Sequence, residues 1–126
     1  MRLHQALLTC ALLACTRLHA EDGYDLWLRY PAVADARLAQ QYRAATTELV
    51  VGGATGQAAR AEIERGLRGM LGAAPPLTRA VTRDGAILLG TPATLPQLRR
   101  LPGLAALGPE GYILRTVTLD GHRTTV

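Results

Sequence analysis

Residues 46–72 read TTELVVGGATGQAARAEIERGLRGMLG, and this stretch decides the class of fold. Thr46 to Val51 is β-branched and then apolar, which predicts a strand that ends at Gly52-Gly53. From Thr55 to Leu71 the apolar residues recur every three or four positions, which is typical of a helix that packs one side on a sheet. A strand followed at once by such a helix indicates an α/β domain.

The helix predicted over residues 55–71 carries its own boundary signals. Thr55 is the expected N-cap and Gly72 the expected residue just after the last turn. Gly66 and Gly69 lie inside the helix, where each costs about 1 kcal/mol relative to alanine. We therefore expect another backbone to approach the helix closely there, either from the sheet or from a neighbouring domain.

Upstream, residues 21–30 read EDGYDLWLRY and alternate in the manner of a two-faced strand, with Tyr24 and Tyr30 on one side and Trp27 and Arg29 on the other. Protein interfaces favour Trp, Tyr and Arg together. We predict that these four residues contact a neighbouring domain, and the alternative is a surface on which a sugar ring stacks against Trp27. Asp35 is then expected to cap a short helix over residues 36–43.

Downstream, the sequence predicts more strands and another short helix. Asp84-Gly85 predicts a hairpin between a strand over residues 77–83 and the apolar strand Ala86–Leu89, which is expected to be central because it is apolar on both faces. Thr94 is expected to cap a short helix that ends near Pro102-Gly103. The further predictions are a turn over residues 108–111, a strand over residues 112–119, a tight turn at Asp120-Gly121 and a last strand over residues 122–126.

Together these elements predict an α/β fold, namely a small two-layer domain with a mixed sheet and two or three helices on one face.

Residues 1–20 are not part of this predicted domain. They have a basic start, an apolar run from Ala6 to Ala14 and small residues before Glu21, which predicts a secretory signal peptide. The run is too short for a transmembrane segment. We expect an exported protein, periplasmic or extracellular, or else a lipoprotein anchored at Cys15, since Leu12-Leu13-Ala14-Cys15 resembles a lipobox.

The residue inventory excludes several chemistries. The chain has no Ser, Lys or Asn, so catalysis by a Ser-His-Asp triad or a Schiff-base lysine is ruled out. Both cysteines, Cys10 and Cys15, lie in the leader and His122 is the one histidine after it, so a metal site lacks its usual ligands. Once Arg2 and Arg17 leave with the signal peptide, 12 of the 14 cations remain against 10 acids. Such a balance does not indicate a nucleic-acid partner.

The carboxylates do not form a glycosidase pair by their positions in the sequence. Glu62 and Glu64 are expected to pair with arginines of their own helix, while Asp84 and Asp120 belong to turns. His122 is expected to be an exposed turn residue. The segment Gly52–Gly56 could bind an anion at a helix start, but it lacks the spacing of a phosphate loop, so a plain turn is favoured. We predict no catalytic, cofactor-binding or metal-binding residue.

Three stretches nevertheless resemble one family. They are EDGYDLWLRY at residues 21–30, DGAILLGTP at residues 84–92 and LGPEGYIL at residues 107–114, in that order. Each is similar to the amino-terminal domain of family 67 α-glucuronidases, which are enzymes of xylan breakdown. The resemblance implies an amino-terminal module whose helices rest on a catalytic (β/α)8 barrel, and it assigns residues 21–126 to that module.

The resemblance implies further that the whole enzyme removes (4-O-methyl)-glucuronic acid from xylan-derived oligosaccharides, by an inverting mechanism that uses carboxylates of the barrel and no metal. None of those carboxylates has a counterpart here, and a barrel needs about 250 residues. We therefore expect a domain truncated at its carboxyl-terminal end, inactive alone, that meets xylan oligosaccharides only through the missing barrel. The alternatives are a free-standing secreted carbohydrate-binding domain and a remnant without a function of its own.

Overall fold

The structure is a computed structural model that describes Gly23 and residues 27–126. The predicted signal peptide, with Cys15, lies outside the described residues, and so does Tyr24. The α-helices are α1 (Ala36–Ala44) and α2 (Gly53–Leu71), and two short 3-10 helices (Pro96–Arg100 and Leu104–Ala106) lie further along the chain. The strands are β1 (Glu48–Val51), β2 (Leu77–Thr78), β3 (Ala86–Leu89), β4 (Thr116–Leu119) and β5 (His122–Thr125).

The five strands form one mixed sheet in the order β2-β1-β3-β5-β4. β1 pairs in parallel with β2 and with β3, β3 pairs in parallel with β5, and β4 pairs antiparallel with β5. β3 therefore lies in the middle of the sheet, which confirms the prediction from its apolar sequence. Its two neighbours are parallel strands, so long connections must cross the faces of the sheet.

One face of the sheet carries both α-helices. Leu49 and Ile87 are register partners on this face, and Ile87 packs against a buried cluster of Ala39, Leu67 and Leu71. Ala39 comes from α1, while Leu67 and Leu71 come from α2. Both helices therefore cover the same face, and the predicted fold class, a small two-layer α/β domain, is confirmed. We call this side the helical face.

The opposite face is covered by the chain that links β3 to β4. Val50 and Leu88 are register partners there and are nearly fully buried, together with Leu119 of β4. Leu95 and Leu98 close this core from the first 3-10 helix and its N-cap. The short helix predicted after Thr94 is thus present as a 3-10 helix. Thr94 does not cap it, because its hydroxyl accepts a bond from the Thr91 amide.

The predicted hairpin at Asp84-Gly85 is wrong. β2 and β3 lie on opposite sides of β1 and run parallel to it, so the turn leads into β3 without returning the chain to β2. Gly85 instead joins two other strands at the start of the sheet: its amide donates to Arg123 O, and its carbonyl accepts from Thr47 N. Tertiary pairing, and not the turn sequence, decides where the chain goes after this turn.

The β2–β3 connection is held on the opposite face by Glu48, whose side chain has 0% exposure. Its carboxylate accepts bonds from the Thr82 amide at 2.6 Å, the Thr82 hydroxyl at 2.7 Å and the Arg83 amide at 3.2 Å. These bonds explain why β2 has two residues, although the sequence predicts a strand over residues 77–83. Burial raises the pKa of Glu48, but the bonds from Thr82 and Arg83 outweigh burial and hold it below the ordinary value.

Local signals set the ends of the helices. Asp35 caps α1 as predicted, since its carboxylate accepts from the Leu38 amide at 2.9 Å. Gly72 ends α2 in the left-handed conformation, with φ of 82°, as predicted. The predicted N-cap of α2 is wrong, because Gly52 and not Thr55 precedes the first turn. A glycine there lets Thr94 pack against the start of the helix.

The tight turn at Asp120-Gly121 is confirmed. Both residues have positive φ, 50° and 86°, and they join β4 to β5 as a two-residue hairpin loop. This is the pattern of a type I′ turn, which suits the twist of paired strands. The strand before it begins at Thr116 and not at residue 112. The turn over residues 108–111 is also present, closed by a bond from Gly111 N to Gly108 O.

The strand predicted within residues 21–30 is wrong in the part that the structure describes. Gly23 and Trp27 have helical backbone, and residues 28–30 have no regular structure. Tyr30 has a φ of 43°, which a strand does not permit. The reason lies in tertiary contacts, because the Tyr30 ring packs on α2 and turns the chain there.

Candidate functional site

The carboxylates of the described residues do not converge on one point. Glu64 bonds Arg60 and Arg68 on its own helix, and its pKa is lowered by those two guanidinium groups. Glu62 lies beside Arg65 and accepts a bond from the Tyr30 hydroxyl. The predicted pairing of both glutamates with arginines of α2 is confirmed. An acid and base flanking a glycosidic bond need a shared cleft, which these groups do not line.

Asp84 and His122 meet at the start of the sheet, with 3.4 Å between His122 Nδ1 and Asp84 Oδ1. The pKa of Asp84 is lowered, first by a bond from the Arg123 amide and then by His122. His122 is about one-third exposed beside the hairpin turn, in keeping with its prediction as a turn residue. Within residues 27–126 and Gly23, no three His, Cys, Asp or Glu side chains are grouped to hold a metal ion.

The segment Gly52–Gly56 joins β1 to α2, at the end of the sheet where parallel strands β1 and β3 stop. A crevice of about 400 Å³ lies there, lined by the first turn of α2 and by Gly90, Thr91 and Thr94. Thr94 and Leu95 occupy the space that side chains at Gly52 and Gly90 would need. These glycines therefore serve close packing of a strand-to-helix turn, in line with the plain turn predicted for this segment.

A better candidate is the surface around Tyr30 on α2. The Tyr30 ring lies 3.1 Å from where a Cβ at Gly66 would stand, and the Tyr30 carbonyl lies 2.7 Å from the corresponding position at Gly69. The predicted approach of another backbone is confirmed at Gly69, whereas Gly66 is approached by a side chain. Both contacts come from the chain's own upstream segment, and not from the sheet or from another domain as expected.

Polar contacts fix the same ring. The Tyr30 hydroxyl donates to Glu62, and the Arg65 guanidinium lies over the ring at 5.5 Å from its centre. A positive φ costs a residue with a side chain about 1–2 kcal/mol, so these contacts hold the chain in a strained conformation. Strain that is held in place in this way often marks a functional position.

Next to Tyr30 lies an apolar groove of about 340 Å³. We call it the α2 groove. Ile63 and Met70 of α2 form one side, Ile87 lies at the floor and Leu114 forms the far side. Leu114 is 76% exposed, which is high for a leucine beside an apolar groove. A groove of this kind is typical of a surface that another molecule or domain covers.

The helical face is open next to this groove. α2 packs over β1 and β3, while side chains that point to the same side from β4 and β5 remain exposed, as the alternation along these strands shows for Thr116, Thr118 and Arg123. Sheets built of parallel strands usually have both faces covered. The α2 groove and the uncovered part of β4 and β5 therefore form one continuous candidate contact surface, which we call the open surface.

The four residues that the sequence predicts to contact a neighbouring domain or a sugar differ in their surroundings. Tyr24 lies outside the described residues, Trp27 is 85% exposed, Arg29 is exposed and Tyr30 is half-buried on α2. Among the described residues, Trp27, Arg29 and Tyr30 do not form part of the predicted two-faced strand. Leu114 could not be singled out from the sequence, because it lies in a segment predicted to be strand and has no unusual neighbours. The glycine pair Gly66 and Gly69 was the one signal that pointed to this surface.

Comparison with known families agrees with this architecture. The sequence model of the family described as "Glycosyl hydrolase family 67 N-terminus" matches residues 26–126. The chain belongs to this family. The match spans both helices and all five strands, so the family 67 amino-terminal domain is the whole of the described fold and not one part of it.

Membership also bears on the domain that accompanies this one. A family 67 amino-terminal domain implies a catalytic domain in its parent protein.

A search of curated proteins found no match to this chain. Across the described part of this family 67 domain, no helix has the length and apolar character needed to cross a membrane.

Proposed function

We propose that this family 67 domain is the non-catalytic amino-terminal part of an exported α-glucuronidase that releases (4-O-methyl)-glucuronic acid from xylan oligosaccharides. Its role is to support and orient the catalytic domain. The observation that carries the proposal is the family match over residues 26–126. The scattered carboxylates support the non-catalytic role, because Glu48 is bonded by the β2–β3 connection, Glu62 by the Tyr30 hydroxyl and Glu64 by arginines of α2.

We place the contact with the catalytic domain on the helical face. Leu38 and Tyr42 of α1 are part-exposed there, at 37% and 44%, and Leu114 beside the α2 groove is more exposed still. Burial of apolar area at about 25 cal/mol per Å² makes such side chains the main source of docking energy.

Activity measurements on the purified chain test the non-catalytic role. Incubation with aldouronic acids should release no glucuronic acid, whereas the same assay with a complete family 67 enzyme should release it readily. Steady release by the chain alone would overturn the proposal. Mixing the chain with a separately produced family 67 catalytic domain should then raise the thermal midpoint of the mixture, because binding stabilises the folded forms.

A pair of substitutions tests the docking face. Leu114→Asp should weaken association with the catalytic domain by at least tenfold, since it adds a charge to the apolar rim of the α2 groove. Tyr112→Asp is the matched control, because Tyr112 is similarly exposed, at 84%, but lines a different pocket with Leu98 and Leu104. Equal effects of the two changes in a titration would show that the helical face is not the docking face.

A carbohydrate-binding domain is the second candidate, and the exposure of Trp27 favours it. An indole that is 85% exposed is available to stack on a sugar ring. Trp27 is the single tryptophan of the chain, so its fluorescence reports on this one position. A shift of the emission on adding xylo-oligosaccharides, lost in Trp27→Ala, would support this candidate. Emission that stays constant up to millimolar sugar would rule it out.

Export is part of the proposal and rests on residues 1–20. Expression in a bacterium with general secretion and lipoprotein pathways, followed by mass spectrometry of the mature amino terminus, distinguishes the two routes. A terminus at Glu21 indicates a free periplasmic or extracellular protein. A lipidated terminus at Cys15 indicates a membrane-anchored one, and an uncleaved chain in the cytoplasm would contradict export.

A further inference from the structure

The segment of residues 30–33 lies along α2 as a strap. At its first residue the Tyr30 ring sits on Gly66 and the Tyr30 backbone on Gly69. At its last residue the Val33 amide donates to Met70 O at 2.9 Å. These contacts at the two ends of the strap are made to one helix. The hydrogen bonds that build the sheet run between other residues.

The strap is held under backbone strain at its first residue. Tyr30 has a φ of 43°, in a region that residues with side chains rarely adopt. Pro31 follows it, and a residue before proline strongly prefers extended backbone with negative φ. Tyr30 therefore departs from two preferences at once. The contacts with Gly66, Gly69, Glu62 and Arg65 are what hold it in place.

We infer that residues 30–33 form a strap that opens and closes on α2 while the sheet stays folded, and that this motion controls access to the α2 groove. Tyr30 is itself a wall of that groove, next to Ile63 and Met70. Gly66 already lines the groove, and when the strap leaves, the surface at Gly69 is added to it.

Val33 also packs against the buried cluster of Ala39, Leu67 and Leu71. It is therefore the pivot, and the strained Tyr30 end is the part that leaves α2. Local opening of this kind can occur at a lower free energy than unfolding of the whole domain.

Limited trypsin digestion tests the strap, since the Arg29–Tyr30 bond lies directly before it and Arg29 is exposed. Gly69→Ala places a methyl group 2.7 Å from the Tyr30 carbonyl, which forces the strap outward. The same change favours the helix, because alanine is a better helix former than glycine. We expect cleavage at Arg29–Tyr30 to quicken at least tenfold, with a thermal midpoint that is unchanged or higher. Binding of the apolar dye ANS should rise in parallel.

Gly108→Ala is the control, because a Cβ there meets nothing within 4 Å and should leave cleavage and dye binding unchanged. Tyr30→Ala removes the ring that packs on α2 and leaves the sequence of α2 unchanged. It should quicken cleavage as Gly69→Ala does. Tyr30→Phe keeps the ring but loses the bond to Glu62 and should have a smaller effect.

Two results would overturn the inference. Unchanged cleavage in both Gly69→Ala and Tyr30→Ala would mean that these contacts do not hold the strap. Equal acceleration at Arg29 and at Arg79 or Arg123 within the domain, with a lower thermal midpoint, would mean that the strap opens only when the whole domain unfolds.

Discussion

The two faces of the sheet are covered in different ways. On the opposite face, Val50, Leu88 and Leu119 are buried under Leu95 and Leu98, and the β2–β3 connection is fastened to Glu48. On the helical face, α2 covers only β1 and β3, and its groove stays open next to β4 and β5. The opposite face is therefore covered by the chain itself apart from a pocket of about 310 Å³ beside Leu98 and Leu104, whereas the helical face has an exposed apolar groove that we propose a partner covers. The stability of the domain should depend mainly on the opposite face, and the binding of a partner mainly on the helical face.

The largest expected effect contrasts a leucine from each face. Leu88→Ala should lower the free energy of unfolding by about 2–5 kcal/mol, because it leaves a cavity in the closed core. Leu114→Ala should change it by about 0.5 kcal/mol or less, since that side chain is already in water. Urea denaturation of both variants measures the difference. Similar losses would mean that the helical face is as closed as the other.

The next effect concerns the β2–β3 connection, which is bonded to the Glu48 carboxylate. Glu48→Ala should destabilise the domain by about 2–3 kcal/mol, because the Thr82 and Arg83 amides lose a charged acceptor that is buried in the folded chain. Glu64→Ala is the control, since Glu64 lies on the surface of α2 and pairs only with arginines of the same helix. Hydrogen exchange should show faster exchange at residues 79–85 in the Glu48 variant alone. Loss of protection throughout the chain would contradict a local role for this carboxylate.

The pH dependence of stability rests on the same carboxylate. The pKa of Glu48 in the folded chain lies below its ordinary value of 4.5, so its contribution is fully present above that value. The contribution is lost as the pH falls through the lowered folded pKa. Thermal midpoints should therefore decrease on acidification below about pH 4.5, and this decrease should be smaller in Glu48→Gln. An identical pH profile in the variant would assign the acid sensitivity to other groups.

The smallest effect concerns α1 on the helical face. Asp35→Ala removes the acceptor of the Leu38 amide and should cost about 1 kcal/mol, while Asp35→Asn should keep most of the cap. Thermal denaturation resolves such a difference in a domain of this size. If Asp35→Asn is as destabilised as Asp35→Ala, the charge and not the cap explains the role of Asp35.

Signals that act over a few residues were predicted well. The cap at Asp35, the helix end at Gly72 and the hairpin turn at Asp120-Gly121 each depend on a hydrogen bond or a positive φ within one turn of chain. The central place of Ala86–Leu89 could also be predicted, because an apolar sequence on both faces of a strand requires cover on both. The arginine partners of Glu62 and Glu64 follow from helical spacing alone.

The candidate site could be predicted only in part. Gly66 and Gly69 indicated a close approach, but the approaching residue, Tyr30, belongs to a segment whose sequence predicts a strand. Alternating side chains describe a strand only where a neighbouring strand is available, and here α2 binds the ring instead. Glu48 had no distinguishing signal, because a glutamate at the start of a strand is usually exposed, and its three donors come from residues 34 and 35 positions later.

The sequence by itself determined the class of fold, the start of α1, the end of α2, the β4–β5 hairpin and the family resemblance, because each depends on local backbone preferences or on side chains close in the chain. Only the tertiary structure decided that the Asp84-Gly85 turn joins parallel strands, that Glu48 is buried and that Tyr30 latches onto α2. These outcomes depend on which distant segments become neighbours. That choice is made by the burial of the whole apolar surface at once, so no single stretch of sequence contains it.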